Sequence, residues 1–219
     1  MSNLFVSLNE DGSYALGTGG YLVLAILIFL ALIAVSSLGT HTKKLSRKQI
    51  VFSAMAIALA FIMSNIKLFR MPMGGSVTLF SMFFITLIGY WYGPVAGILV
   101  GVSYGLLQLI IDPYIISLPQ LLVDYPFAFG ALGISGFFNR QKYGLLTGYI
   151  AGVLGRYIFA ILSGVIFFGM YAPEGMSPLA YSMAYNGGYL GAEAALTIIV
   201  LLVPAVRKAL EQSRQLAQG

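Results

Sequence analysis

The sequence has no cysteine, one histidine, one tryptophan and little charge: 9% of its 219 residues are Asp, Glu, Lys or Arg. Without cysteine there can be no disulfide and no thiolate metal site. The lone histidine, His41, sits in a basic linker with no second ligand or nucleophile near it in sequence, and reads as a solvated interfacial side chain. Soluble domains carry about 25% charged residues. A chain that is 59% hydrophobic has too little polar surface to stay dissolved in water, so lipid must form part of its solvent. No glycine-rich phosphate loop precedes a Lys-Ser or Lys-Thr pair, and no His-Glu-x-x-His is present. Gly17-Thr18-Gly19-Gly20 lacks the strand and helix that would make it a nucleotide loop. These absences argue against an enzyme and imply no metal and no cofactor. The net charge of +5 is better explained by basic loops on one side of a membrane than by nucleic acid.

What is present is a series of apolar runs. A hydrocarbon core about 30 Å thick needs roughly 20 residues of helix. Seven spans are expected, at about residues 21–38, 49–66, 77–92, 95–111, 118–138, 143–170 and 179–203. The first could be a signal peptide, but Glu10 and Asp11 precede it and the basic cluster follows it, which suits a retained helix. Alternating the spans places Lys43, Lys44, Arg47 and Lys48, then Arg140 and Lys142, then Arg207, Lys208 and Arg214 on one side. The positive-inside rule makes that side cytoplasmic, with the N-terminus outside. The expected organisation is 1–47, a tail, an extra transmembrane helix and a basic linker; 48–206, a six-helix membrane domain; and 207–219, a cytoplasmic tail that is either a polar helical end or frayed.

Intramembrane charges are costly and are paired or functional. Three are expected here: Asp124, Arg156 and Glu193. Asp124 and Arg156 read either as a structural ion pair or as a carboxylate held by Arg156 to meet a cationic ligand; both can hold. Glu193, flanked by Gly191, Ala192 and Ala194, is equally open to a structural or a ligand-facing role. Tyr114, Tyr125, Phe168, Tyr171, Tyr181, Tyr185 and Asn186 fall toward the outer half. They read as an interfacial aromatic belt, or as a surface that stacks on a flat heteroaromatic cation. Ala54-x-x-x-Ala58, interleaved with Ala56-x-x-x-Ala60, permits close helix approach, within the chain or against another.

Four segments together carry a resemblance. They are MPMGGSVT at 71–78; LLVDY at 121–125; Arg156-Tyr157 followed by SGVIFF at 163–168; and YAPEGMSP at 171–178, with Tyr181-Ser182 and Tyr185-Asn186-Gly187 beyond it. In this order and spacing, residues 48–206 resemble the ThiT/YuaJ-type thiamine-binding S-components of energy-coupling-factor (ECF) importers. The resemblance implies an all-α integral membrane protein with a six-helix S-component core, to which the N-terminal helix is an addition. It implies an outward substrate cavity capped by the loop at 67–76. It puts the family's acidic ligand residue on Asp124, followed by Tyr125, its other site tyrosines on Tyr114 and Tyr181, its asparagine on Asn186 and its basic residue on Arg156. The alanines that dock on the transmembrane coupling subunit fall on Ala54 and Ala58. The implied partners are thiamine or a close analogue, the coupling subunit, two ATPase subunits and the lipid bilayer. Departures are Ala160 where members carry a site histidine, Phe168 where some carry tryptophan, Asp124 where some carry glutamate, and Gly74-Gly75 in a lid that elsewhere carries tryptophan. A stand-alone proton-coupled transporter using Asp124 or Glu193 is the alternative.

Overall fold

A computed structural model describes residues 6–8, 14–17, 19, 22, 46–111 and 113–219. The expected span at 21–38 and the linker with His41, Lys43 and Lys44 lie outside the described residues, apart from Leu22. Two short strands, β1 (Val6–Leu8) and β2 (Tyr14–Leu16), pair antiparallel near the N-terminus.

Six helices build the membrane domain: α1 (Arg47–Ser64), α2 (Ser81–Tyr92), α3 (Pro94–Ile111), α4 (Leu118–Phe138), α5 (Gly144–Phe167) and α6 (Pro178–Leu202). All but α2 are long and apolar enough to cross a bilayer, and the chain is a multi-pass membrane protein. Local chemistry sets several of their starts. Ser46 and Ser177 accept from the backbone N–H three residues on, at 3.1 and 3.2 Å, capping α1 and α6. Between α2 and α3, Gly93 takes φ 96°, which a side chain would resist, and Pro94 opens the next helix.

The third expected span starts too early. Residues 76–78 form β4 (Ser76–Thr78), paired antiparallel with β3 (Lys67–Arg70) across a short 3-10 turn at Pro72–Gly74. A short apolar run does not by itself separate strand from helix. With 12 residues, α2 reaches only about 18 Å, and the β3–β4 hairpin occupies the chain at its end. Ten of its residues are buried, so α2 is the central helix. The lipid-facing side chains are on the outer helices: Val51, Ile62, Leu154, Ile158, Ile166 and Ile199 are all more than half exposed.

Helices α3 and α4 meet backbone to backbone. A Cβ at Gly97, Gly101 or Gly105 would run into the backbone of Gly133, Phe129 or Tyr125. The approach requires glycine, as small-residue interfaces in membranes do. Helix α4 is irregular: Val123–Phe127 is a π-helical turn and Ala131–Phe138 tightens to 3-10 geometry. Pro126 within the wide turn has no N–H to donate and its ring crowds the preceding turn, which accounts for the break.

The C-terminal stretch is helical: α7 (Pro204–Gln218) begins three residues before the boundary expected at 207. It packs across the ends of α1 and α2. Arg214 stacks on Tyr90 (4.6 Å to the ring centroid) and donates to Tyr90 Oη at 2.9 Å and Asn139 O at 2.8 Å. Lys48 Nζ donates to Leu216 O at 3.2 Å and Tyr92 Oη to Ala217 O at 3.0 Å.

Candidate functional site

A cavity of about 240 Å³ opens at the end of the bundle that carries the β3–β4 hairpin, and α1 to α6 all contribute to its wall. Pockets for small molecules usually run from about 300 Å³ upward, so a compact ligand would fill it. All seven binding residues expected from the sequence line it: Tyr114, Asp124, Tyr125, Arg156, Phe168, Tyr181 and Asn186.

Asp124 lies in the π turn of α4. Gln120, one turn before it, donates Nε2 to Asp124 Oδ2 at 2.6 Å and to Tyr114 O at 3.1 Å, and accepts from Ile116 N at 3.0 Å. The side chain of Gln120 therefore fixes both the carboxylate and the loop before α4. Tyr125 Oη accepts from Tyr114 N at 2.9 Å, pinning that loop a second time.

Of the two readings of Asp124 and Arg156, the direct ion pair is not formed: no Arg156 nitrogen lies within 4.0 Å of an Asp124 oxygen, whereas Arg214 and Glu211 approach to 3.9 Å. Arg156 instead lies over the ring of Phe129, 4.0 Å from its centroid. A cation over an aromatic face keeps part of its solvation energy, and its N–H donors have no protein acceptor among the described residues.

Glu193, left open by the sequence, is buried at 2% exposure and accepts three hydrogen bonds. Thr78 Oγ1 donates at 2.5 Å, Ser81 Oγ at 3.0 Å and Met82 N at 3.0 Å. Phe80, which opens α2 with φ 60°, gives no side-chain cap. Glu193 supplies the missing cap from α6, and a carboxylate at a helix N-terminus is favoured by the dipole. It also lines the cavity.

Aromatic rings form two walls. Tyr114 and Phe168 lie 5.8 Å apart and 31° from parallel; Tyr181 and Tyr185 lie 5.8 Å apart. Asn186 commits its Nδ2 to Ala160 O (3.2 Å) and to Ser182 (2.9 and 3.1 Å), while Oδ1 accepts from Tyr189 Oη at 3.0 Å. Its amide plane is thus fixed against the cavity. Tyr185 Oη ties down the hairpin: it donates to Pro72 O and accepts from Gly75 N at 3.1 Å. A Cβ on Gly75 would stand 2.8 Å from that oxygen, so the glycine makes room for the latch.

Sequence reasoning missed Gln120, Ser163 and the latch role of Tyr185. Gln120 and Asp124 are an i, i+4 pair, a spacing that places side chains side by side on a helix. Ser163 follows Arg156 and Ala160 at intervals of four and three on the same face of α5. Its hydroxyl is buried, lines the cavity and has no hydrogen-bond partner of normal geometry. The partners of Tyr185 are more than 100 residues away and left no local trace. Ala54 and Ala58 lie on the exposed side of α1, while the interleaved Ala56 and Ala60 face the core.

The family model described as thiamine transporter protein (Thia_YuaJ) matches residues 50–212. The chain belongs to this thiamine transporter family. The chain is 37% identical over 145 residues to the thiamine transporter ThiT of Bacillus subtilis (strain 168), which spans 60% of this chain and 75% of that protein. It is 30% identical over 118 residues to the thiamine transporter ThiT of Lacticaseibacillus paracasei, covering 46% of this chain and 59% of that one. A solved structure of ThiT from Listeria monocytogenes superposes with a TM-score of 0.55 at 25% identity, covering 73% of this chain and 94% of that one. The relatives in this family are thiamine transporters, not enzymes.

Proposed function

We propose that this chain is a substrate-binding S-component that captures extracellular thiamine for import driven by partner ECF ATPases. The observation that carries this reading is the convergence of Asp124, two aromatic walls and a fixed amide on one small cavity. The ionisable groups on the helices there, Asp124, Glu193 and Arg156, sum formally to one negative charge. Lys67, on the hairpin at the rim, has an interaction of its own. A singly charged organic cation balances the helix charges. The thiazolium would sit near Asp124, Tyr125, Phe168 and Tyr181 would stack on the rings, and Asn186 would offer Oδ1 to a ring edge. The cavity end faces outward and the end rich in Arg and Lys faces the cytoplasm. The exposed face of α1 with Ala54 and Ala58 docks on the transmembrane coupling subunit, which bears the two ATPase subunits.

Purified protein tests the first half: thiamine at 100 times its Kd stabilises the fold by about 2.7 kcal/mol, read as a rise in melting temperature, whereas no rise with thiamine refutes capture. Reconstituted vesicles test the second. Uptake should need the coupling subunit, both ATPases and ATP; uptake driven by a pH gradient without them would establish the proton-coupled alternative. That alternative would draw on Asp124, since Glu193 is engaged as the α2 cap.

A further inference from the structure

The opposite end of the bundle holds a second cavity, of about 440 Å³, between the start of α5, the end of α6 and α7. Its floor is apolar, built by Leu145, Leu146, Leu201 and Leu202. Its rim carries three cations, Lys142, Arg207 and Lys208. None has a carboxylate within ion-pair distance among the described residues, and the one acid on the rim, Glu211, lies 3.9 Å from Arg214 instead. From Leu202 in the floor, 54% exposed, the apolar surface continues along α6 through Ile199, 62% exposed, in the direction a lipid chain runs. Tyr143, 61% exposed, marks the interfacial level beside Lys142.

We propose that this cavity is a binding site for one anionic phospholipid. Its phosphate sits among Lys142, Arg207 and Lys208, and its acyl chains lie on the leucine floor and the outer face of α6. Three cations with no carboxylate partner among the described residues select a net negative headgroup over a zwitterionic one, Lys142 resting only against the Tyr143 ring and Arg207 on Leu202 O, and basic pockets between helices on the cytoplasmic side hold anionic headgroups elsewhere. The floor selects a lipid over a free phosphate. A bound lipid would brace α7 against α5 and α6, away from the vitamin cavity.

The test is native mass spectrometry of the full chain with equimolar dioleoyl phosphatidylglycerol and dioleoyl phosphatidylcholine. Phosphatidylglycerol should be retained at least tenfold over phosphatidylcholine, and glycerol 3-phosphate should not compete. Lys142→Gln and Lys208→Gln should each lower that retention at least threefold, while Arg47→Gln, at the same end but outside the cavity, should not. Leu146→Trp, which fills the floor and keeps every charge, should lower it too. Melting temperatures in phosphatidylcholine nanodiscs, unchanged across the variants, separate lost binding from lost folding. Equal retention of the two lipids, an equal effect of Arg47→Gln, or indifference to Leu146→Trp would each overturn the proposal. So would variants that keep the lipid but lose the coupling subunit, because the face would then be a protein interface.

Discussion

Replacing Asp124 by asparagine keeps the shape of the side chain and removes its charge. Gln120 Nε2, now 2.6 Å from Oδ2, can still donate to the asparagine oxygen, so the loop before α4 keeps its anchor. The site changes electrically instead. The helix charges go from a formal −1 to zero, and Arg156, without an ion-pair partner among the described residues, becomes repulsive toward a cation. A hydrogen bond or close contact with a charged partner is worth about 1.5–3 kcal/mol, which is about 10- to 150-fold in Kd. Asp124→Asn should therefore weaken thiamine binding by at least tenfold in titration calorimetry, with the ligand-free melting temperature little changed. Adding Arg156→Gln should recover part of the loss by returning the formal helix charge to −1. Thiamine affinity within threefold of the parent would refute the electrostatic account of the site, and a double variant no better than the single would refute the part assigned to Arg156.

Other outcomes follow from the same geometry. Glu193→Ala removes the acceptor for Thr78, Ser81 and the Met82 N–H at the start of α2; Thr78 and Ser81 can still bond each other at 2.8 Å, so one hydroxyl and the N–H lose their partner, and the protein should be destabilised by about 2–3 kcal/mol, seen as a lower melting temperature with or without ligand. Tyr185→Phe removes both bonds that hold the hairpin; at ~1 kcal/mol each, thiamine should dissociate about 5- to 30-fold faster in stopped-flow fluorescence. Gly105→Val forces α3 off the Tyr125 backbone, and should cost about 1–3 kcal/mol and weaken binding by displacing the adjoining Asp124. Ala58→Trp, on the exposed side of α1, should leave thiamine binding intact and abolish pull-down of the coupling subunit.

Much of the bundle was legible because spanning a bilayer demands long apolar runs, and α1 and α3 to α6 supply them. The departures have local reasons. Residues 76–78, Ser-Val-Thr, lead directly into the apolar run of α2 but pair with β3, a partner that hydropathy does not reveal. The π turn at Val123–Phe127 inserts without altering composition, and Pro126 was its only visible sign. The seven expected site residues fall on one cavity because the helices that carry them were readable as alternating spans, while their selection from the wider aromatic cluster came from the motifs at 121–125, 163–168 and 171–187. The role of Glu193 was not readable, because its three partners lie 111 to 115 residues away. Nor was the seating of Arg156 over Phe129 in place of an ion pair with Asp124, which depends on how α4 and α5 pack. The docking of α7 was hidden for the same reason: Arg214 counted only as one of the basic residues on one side of the membrane, and its partners, Tyr90 and Asn139, are 75 and more residues away.

The glycine seam between α3 and α4 bears on how a molecule gets in and out. With Gly97, Gly101 and Gly105 pressed on the opposing main chain, neither helix can slide or roll without collision, so these two must travel as one stiff plank. The roof is held differently, by one phenol oxygen bonded to Pro72 O and Gly75 N, so loosening that catch would open the cavity and leave the plank undisturbed.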